Sequence, residues 1–380
     1  VFFTDDYLMI AVREMAFDTF IKAFYKPEND EIKEALKRYI GLDSDESAKL
    51  IVGSAKNSFN FITANPVLDL LFDAAMLEHK GEPKYSKFEI KKKKDLKKPA
   101  AEVKMRKITA PHEDIKGALK EVNKILQYVF DRTNDTFQVA YKKGKSTVDN
   151  VTPHQEHKFV FNIDLSDFFP SCTRDFVRKY TKIFFKHAPN REVVEEAFLD
   201  IILDDDTDAL YIGNPVSGTL ANAIISKPVK YMKNITKNFN MQFSVYADDM
   251  SFSSDRYISE EFINNIFNLA FMNYDMEDFF KINKEKSHGM SKSRRKITGI
   301  SINDDNERAI PRRFYRNLRV KIHKLSIGET TSINLQKLVG QLSYAMHVDQ
   351  TGKIERLLTK FEATVREHKL VSKTRMDSIV

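Results

Sequence analysis

Val245-Tyr246-Ala247-Asp248-Asp249-Met250-Ser251-Phe252 sets two adjacent carboxylates between two short segments of alternating hydropathy. Before the pair, Phe243 and Val245 alternate with Gln242 and Ser244; after it, Met250 and Phe252 alternate with Ser251 and Ser253. A period of two predicts half-buried strands, here joined at the tip of a tight hairpin. Both charges then lie near one point, and carboxylates held together repel unless a cation joins them. A divalent metal is the usual cation, and aspartates on metal are the usual machinery of phosphoryl transfer. A bare Asp-Asp turn is more often simply solvated, so the reading turns on a third carboxylate.

Asn162-Ile163-Asp164-Leu165-Ser166-Asp167-Phe168-Phe169-Pro170 supplies it. Phe159, Phe161, Ile163 and Leu165 alternate, predicting a strand that ends near Asp164 and turns into a helix. Two strands of one sheet would bring Asp164 to the hairpin pair and complete a two-magnesium site, with manganese as the alternative ion. Asp167 reads as the cap of the helix that follows.

Composition bounds the class. At 380 residues the chain is long for one core, so two or three subdomains are expected. A net charge of +7 favours a polyanionic partner. Cys172 is the single cysteine, which excludes an internal disulfide and fits a reducing compartment. No run of about 18 apolar residues occurs, so no membrane-spanning helix is expected. The Val-Phe-Phe-Thr-Asp-Asp start lacks the basic opening of a signal peptide. A cytoplasmic protein without a membrane partner follows as the expectation.

Residues 1–80 read as helical, with Ile32, Leu36, Tyr39 and Ile40 on one face ahead of Gly41, and a second helix from Asn65-Pro66 through Leu77. The stretch 84–110 is crowded with lysine and reads as a basic hairpin for phosphates or as a solvated face. Ile108-Thr109-Ala110-Pro111 ends its second strand, and a helix follows through Leu119, Val122, Ile125, Leu126 and Val129. Further helices are expected at about 174–188, 192–203, 219–232 and 259–273, strands near 280–283 and 297–302, and a helical tail over 311–370. Strand, helix, hairpin, helix and strand in that order give an α+β class.

The chain resembles the reverse transcriptases at this point. Asp-Leu-Ser-Asp-Phe-Phe-Pro and Tyr-Ala-Asp-Asp are similar to motifs A and C of that family. Arg106, Ile108 and Pro111 match its fingers strand, Tyr211 to Asn222 its motif B, and Ile282 to Ser287 its motif D. Asn150-Val151-Thr152-Pro153-His154 and Ile297-Thr298-Gly299 resemble signatures of the bacterial retron enzymes. Motif B departs from the pattern: Ile212 stands where the family has glutamine, and Gly218 where it has proline.

The resemblance implies a right-hand polymerase fold with an N-terminal helical extension. It implies helices over 1–80, fingers over 81–155, a palm over 156–303 with fingers helices interleaved at about 174–215, and a thumb over 304–380. Asp164, Asp248 and Asp249 would be the metal ligands, with Leu165 adding its backbone carbonyl beside the nucleotide. Phe169 would be the steric gate that excludes a 2′-hydroxyl. Arg106 would bind the triphosphate, with Lys104 on the same strand face. Lys286 would donate a proton to the pyrophosphate or screen its charge. Arg312, Arg316 and Arg319, at i, i+4 and i+7, would follow a template–primer backbone, and His154 would be an RNA contact or a buried structural residue.

The implied partners are a cognate structured non-coding RNA, its cDNA, deoxynucleotides and an effector protein in anti-phage defence, with a branched RNA–DNA product. Two other readings stay open: a defence-associated reverse transcriptase with protein-primed or untemplated synthesis, and an RNA-binding scaffold for an effector.

Overall fold

A computed structural model of the chain describes residues 60–91, 105–130, 137–185 and 191–378. The helix read around Ile32–Ile40 and the lysines of 92–104, Lys104 among them, lie outside the described residues. Two compact units divide the fold: the described residues up to Asn134 with Asp167–Ser226, and Asp135–Ser166 with the chain from Lys227 onward.

In the first unit, helix α1 (Asn60–His79) turns a stripe of Val67, Leu70, Leu71, Ala74 and Leu77 into the interior. Pro66 lies inside α1 instead of opening it, so the helix starts earlier than the Asn-Pro signal predicts. One missing backbone donor does not end a helix whose apolar stripe is this regular. Strands β1 (Tyr85–Lys91) and β2 (Met105–Pro111) form an antiparallel ribbon, with Tyr85 opposite Pro111 and Ile90 opposite Arg106. The ribbon is buried only at its base, through Tyr85, Thr109 and Pro111.

Helix α2 (Glu113–Phe130) buries Ile115, Leu119, Val122, Leu126 and Val129. Helix α3 (Arg174–Thr181) tightens into a 3₁₀ turn over Lys182–Phe185, and α4 (Arg191–Ile202) follows. Helix α5 (Ser217–Asn238) begins in this unit, continues into the second from Lys227, and carries Pro228 in its interior. A proline there cannot bond the carbonyl four residues back, that of Ile224; the Tyr180 hydroxyl donates to this carbonyl instead, at 3.3 Å.

Asp167 does not cap α3. The N-cap is Thr173, and Asp167 takes a left-handed φ of 46° in the turn, where its carbonyl accepts both the backbone and the hydroxyl of Ser171. The five residues between them complete a compact turn before the helix starts, which places the aspartate too early to reach the helix's free amides.

The second unit is built on an antiparallel sheet. Strand β3 (Phe159–Ser166) lies beside β5 (Asp249–Ser254), which pairs in turn with β4 (Gln242–Tyr246). The other edge of β3 pairs with β6 (Lys281–Ile282) near its end and with β7 (His288–Ser291) near its start. Helix α6 (Glu260–Met272) buries Ile263, Ile266, Phe267 and Phe271. A second small sheet, β8 (Lys296–Ile297), β9 (Ile300–Ile302) and β10 (Arg308–Ala309), leads into helices α7 (Arg312–Ser326), α8 (Leu335–Val348), α9 (Lys353–Lys360), α10 (Glu362–Glu367) and α11 (Lys373–Asp377). Their apolar faces share one core with Val151 and Val160, including Ile297, Ile300, Leu318, Ile322, Leu338 and Leu342.

The sheet differs from the half-buried hairpin expected. Ser244, Ser251 and Ser253 are each at most 1% exposed. The short Thr147–Val151 helix and His154 lie against this face: His154 bonds Ser244 and Ser253, and the Asn150 carbonyl accepts from Ser244.

Candidate active site

Asp164 on β3 stands directly opposite Asp249 on β5. Tyr246 pairs with Asp249 across the hairpin, so the turn is only Ala247 and Asp248. Ala247 has φ 58°, the left-handed conformation that a two-residue hairpin asks of its first residue and that glycine usually fills. The backbone ties the three carboxylates together: Leu165 N–H donates to the Asp248 carbonyl at 2.9 Å. Asp164 is 9% exposed, while Asp248 and Asp249 are half-buried.

A tight loop after β6 wraps the end of β3. Asn283 N–H donates to the Asp164 carbonyl at 2.8 Å, and Asp164 N–H donates to Ser287 Oγ at 3.3 Å. The loop closes on itself through the Asn283 carbonyl, which accepts Ser287 Oγ at 2.8 Å and the amides of Lys286 and Ser287. Lys286 is thereby aimed at Asp164, with Nζ 2.6 Å from Oδ1 and 2.9 Å from Oδ2.

Among the described residues the donors gathered here are three carboxylates and backbone carbonyls, a set that suits a hard divalent ion held by oxygen. A different group, Glu82, His112 and Asp114, has atoms close enough to share a metal. His112 Nδ1 already accepts the Asp114 amide at 3.3 Å, and the three side chains are substantially exposed ion pairs.

His154 is not a nucleic-acid contact. It is 0% exposed, and its two ring nitrogens lie 2.7 Å from Ser253 Oγ and 2.7 Å from Ser244 Oγ. Ser244 Oγ donates to the Asn150 carbonyl at 3.3 Å. That fixes the tautomer: Nε2 donates to Ser244, and Nδ1 accepts from Ser253. Burial, with the charges of His157 and Lys233 adding, pushes the imidazole down to about 3 and keeps it neutral. By register Ser244, Ser251, Ser253, Asp249 and Asp164 lie on one face of the sheet, so His154 packs the floor on which the carboxylates stand.

Two residues of this unit escaped the sequence reading. Val139 N–H donates to the Val245 carbonyl at 2.9 Å and Gln138 bridges Val245 in parallel, a register that carries Tyr141 level with Asp248. Desolvation, then the Asp248 carboxylate, then Tyr246, raise the Tyr141 phenol to about 12. Arg295 is 3% exposed and gives its guanidinium to the carbonyls of Gln155, His157, Asn303 and Lys292 and to Asn306 Oδ1. Only Tyr141, next to a run of lysine and glycine, left a local mark in the sequence.

The remaining sites are placed as follows. Arg312, Arg316 and Arg319 are exposed on α7, across the helix from buried Leu318, Ile322 and Leu325. Arg106 is exposed on β2, in the first unit. Phe169, also in that unit, is half-buried with its ring 5.5 Å from that of buried Phe168. Leu165 is buried, its amide bound to Asp248 as described. Ile212 is 38% exposed, and its carbonyl accepts Thr109 N–H of β2 at 3.1 Å. Gly213 follows with φ 119°, and a Cβ there would lie 2.3 Å from the Thr109 oxygen.

Known proteins resemble the chain over much of its length. Residues 90–302 match the family of reverse transcriptases (RNA-dependent DNA polymerases). The retron Ec86 reverse transcriptase of Escherichia coli is 28% identical over 265 residues, 70% of this chain and 78% of that protein. The retron Ec83 enzyme of the same species is 24% identical over 73% of this chain and 90% of its own length. The retron Mx65 enzyme of Myxococcus xanthus is 23% identical over 56% of this chain and 52% of its own. Among solved structures, telomerase from Candida albicans, in complex with a fragment of telomeric RNA, is 9% identical, with TM-score 0.43 over 82% of this chain and 70% of that one. The matched span contains Arg106, Asp164, the Asp248-Asp249 hairpin and Lys286, and more than half of the chain. The chain therefore belongs to the reverse transcriptases, RNA-directed DNA polymerases with a right-hand α+β fold, and within them to the retron type.

Proposed function

We propose that this reverse transcriptase copies a cognate structured non-coding RNA into DNA that remains joined to it as a branched RNA–DNA product, and that it does so in anti-phage defence beside an effector protein. The observation that carries the catalytic part is the pairing of Asp164 opposite Asp249, with Asp248 in the two-residue turn. The likeness to retron reverse transcriptases supports an RNA template and deoxynucleotide substrates.

Asp164, Asp248 and Asp249, with the Leu165 carbonyl, would hold two magnesium ions, which supply charge neutralisation at the phosphates and a lowered pKa at the attacking hydroxyl. Phe169 excludes a 2′-hydroxyl from the incoming nucleotide by the bulk of its ring and so selects deoxynucleotides. Arg106 binds the triphosphate through its planar fork. Lys286 donates a proton to the departing pyrophosphate. Arg312, Arg316 and Arg319 follow the backbone of the template–primer duplex by charge.

Purification with the co-expressed nucleic acid, nuclease treatment and sequencing of what survives test the proposal. A branched RNA–cDNA species that is missing from an Asp248→Ala/Asp249→Ala variant is the expected result. Nucleic acid unchanged in that variant would instead identify a scaffold, and DNA on a tyrosine or serine side chain would identify protein priming.

A further inference from the structure

Lys286 and Asp164 are unequal partners. The carboxylate is fixed: its backbone amide and carbonyl are both bound by the loop that follows β6, and its side chain is 13% exposed. The ammonium reaches it on a flexible four-carbon arm, and the lysine side chain is 49% exposed. Both oxygens of the carboxylate take a hydrogen bond from the one nitrogen. An oxygen engaged at 2.6 Å by an ammonium does not offer that lone pair to an ion, and an ammonium and a divalent cation on the same carboxylate repel.

We infer that Lys286 is a displaceable counter-ion for Asp164: it holds the carboxylate in the free enzyme and swings off it as a divalent ion loads. The inference rests on the proposed reading of Asp164 as a metal ligand. It adds a coupling between two events. Loading of the ion is what frees the ammonium, so the proton donor becomes available only in an enzyme already charged with metal. The half-exposed arm makes the exchange cheap, because the released ammonium returns to water.

The sign of one measurement separates this from a structural role. Removing a lysine that merely braces the site weakens ion binding, whereas removing a competitor strengthens it. Mn2+ titrations of the full-length, nucleic-acid-free protein, followed by the electron paramagnetic resonance of free Mn2+, are expected to show Lys286→Met binding on the order of fivefold more tightly than wild type. Lys286→Arg, which keeps a cation on the carboxylate, is expected to bind no more tightly than wild type. In the unmutated protein, reductive methylation of Lys286, read by mass spectrometry, is expected to speed up when Mg2+ is added.

Equal or weaker Mn2+ binding by Lys286→Met overturns the inference while Asp164→Asn still loses the ion. Methylation unchanged by Mg2+ overturns it too. If Asp164→Asn binds Mn2+ as wild type does, the metal-centre reading fails and the inference falls with it.

Discussion

Acid should loosen the second unit through His154, and the size of the effect can be worked out. The imidazole is held neutral in the fold, with its pKa at about 3 against an ordinary 6.5. Above pH 6.5 neither the folded nor the unfolded chain is charged at this position, and nothing is lost. Below it the unfolded chain takes up a proton that the folded chain refuses, so stability falls by about 1.4 kcal/mol per pH unit until the folded value is approached. Between pH 7.5 and pH 5 the loss is about 2 kcal/mol from this group alone. Urea unfolding read by pulse proteolysis, with fragments from residues 242–254 followed, measures it at the two pH values. His154→Gln cannot titrate, so although less stable at both pH values it should lose about 2 kcal/mol less than wild type over the interval. Equal losses in the two proteins would refute a buried neutral histidine, and with it the packed polar floor beneath the carboxylates.

Other perturbations have equally definite outcomes. Gly213→Ala drives a Cβ into the Thr109 carbonyl at a φ that L-residues avoid, and should cost about 3 kcal/mol in the first unit's urea midpoint. Tyr180→Phe removes the donor to the carbonyl that Pro228 leaves without a helical partner, and should cost about 1–2 kcal/mol in thermal unfolding. Arg295→Ala strips several buried acceptors at once and should cost about 3 kcal/mol or more by the same measurement in the second unit. Replacing Arg312, Arg316 and Arg319 together should weaken duplex binding uniformly across sequences and lower the slope of log K against log salt by about one for each arginine. An unchanged slope would remove α7 from the proposed interface.

The carboxylate hairpin was legible because its signals are local: alternation on both sides, a two-residue turn, and a second alternating strand bearing an aspartate. Strand β6 falls where a strand was expected near 280–283, but β7, which pairs with the start of β3, was not legible in the sequence. The covering of the serine face was not legible, because alternation reports only that one face is polar. Whether that face meets water or His154 depends on a segment 90 or more residues away in sequence. Lys286 was identified by its place in a motif, but its hold on Asp164 arises from a loop whose shape is set by three hydrogen bonds to one carbonyl. Arg295 looked like one cation among Lys292, Arg294 and Lys296, and only the fold distinguishes a buried guanidinium from its solvated neighbours. Asp167 shows the converse error, a residue type right for a cap but placed before the turn had finished.

Ile212 joins β2 through its carbonyl, and Gly213 fits because it lacks a side chain. The chain thus enters this contact as backbone and leaves the 212 side chain outside the bond. The link itself does not depend on the side chain: glutamine, isoleucine or another residue would present the same carbonyl to Thr109. The strand contact is thus kept by residue 213, where only glycine fits, and not by the identity of residue 212.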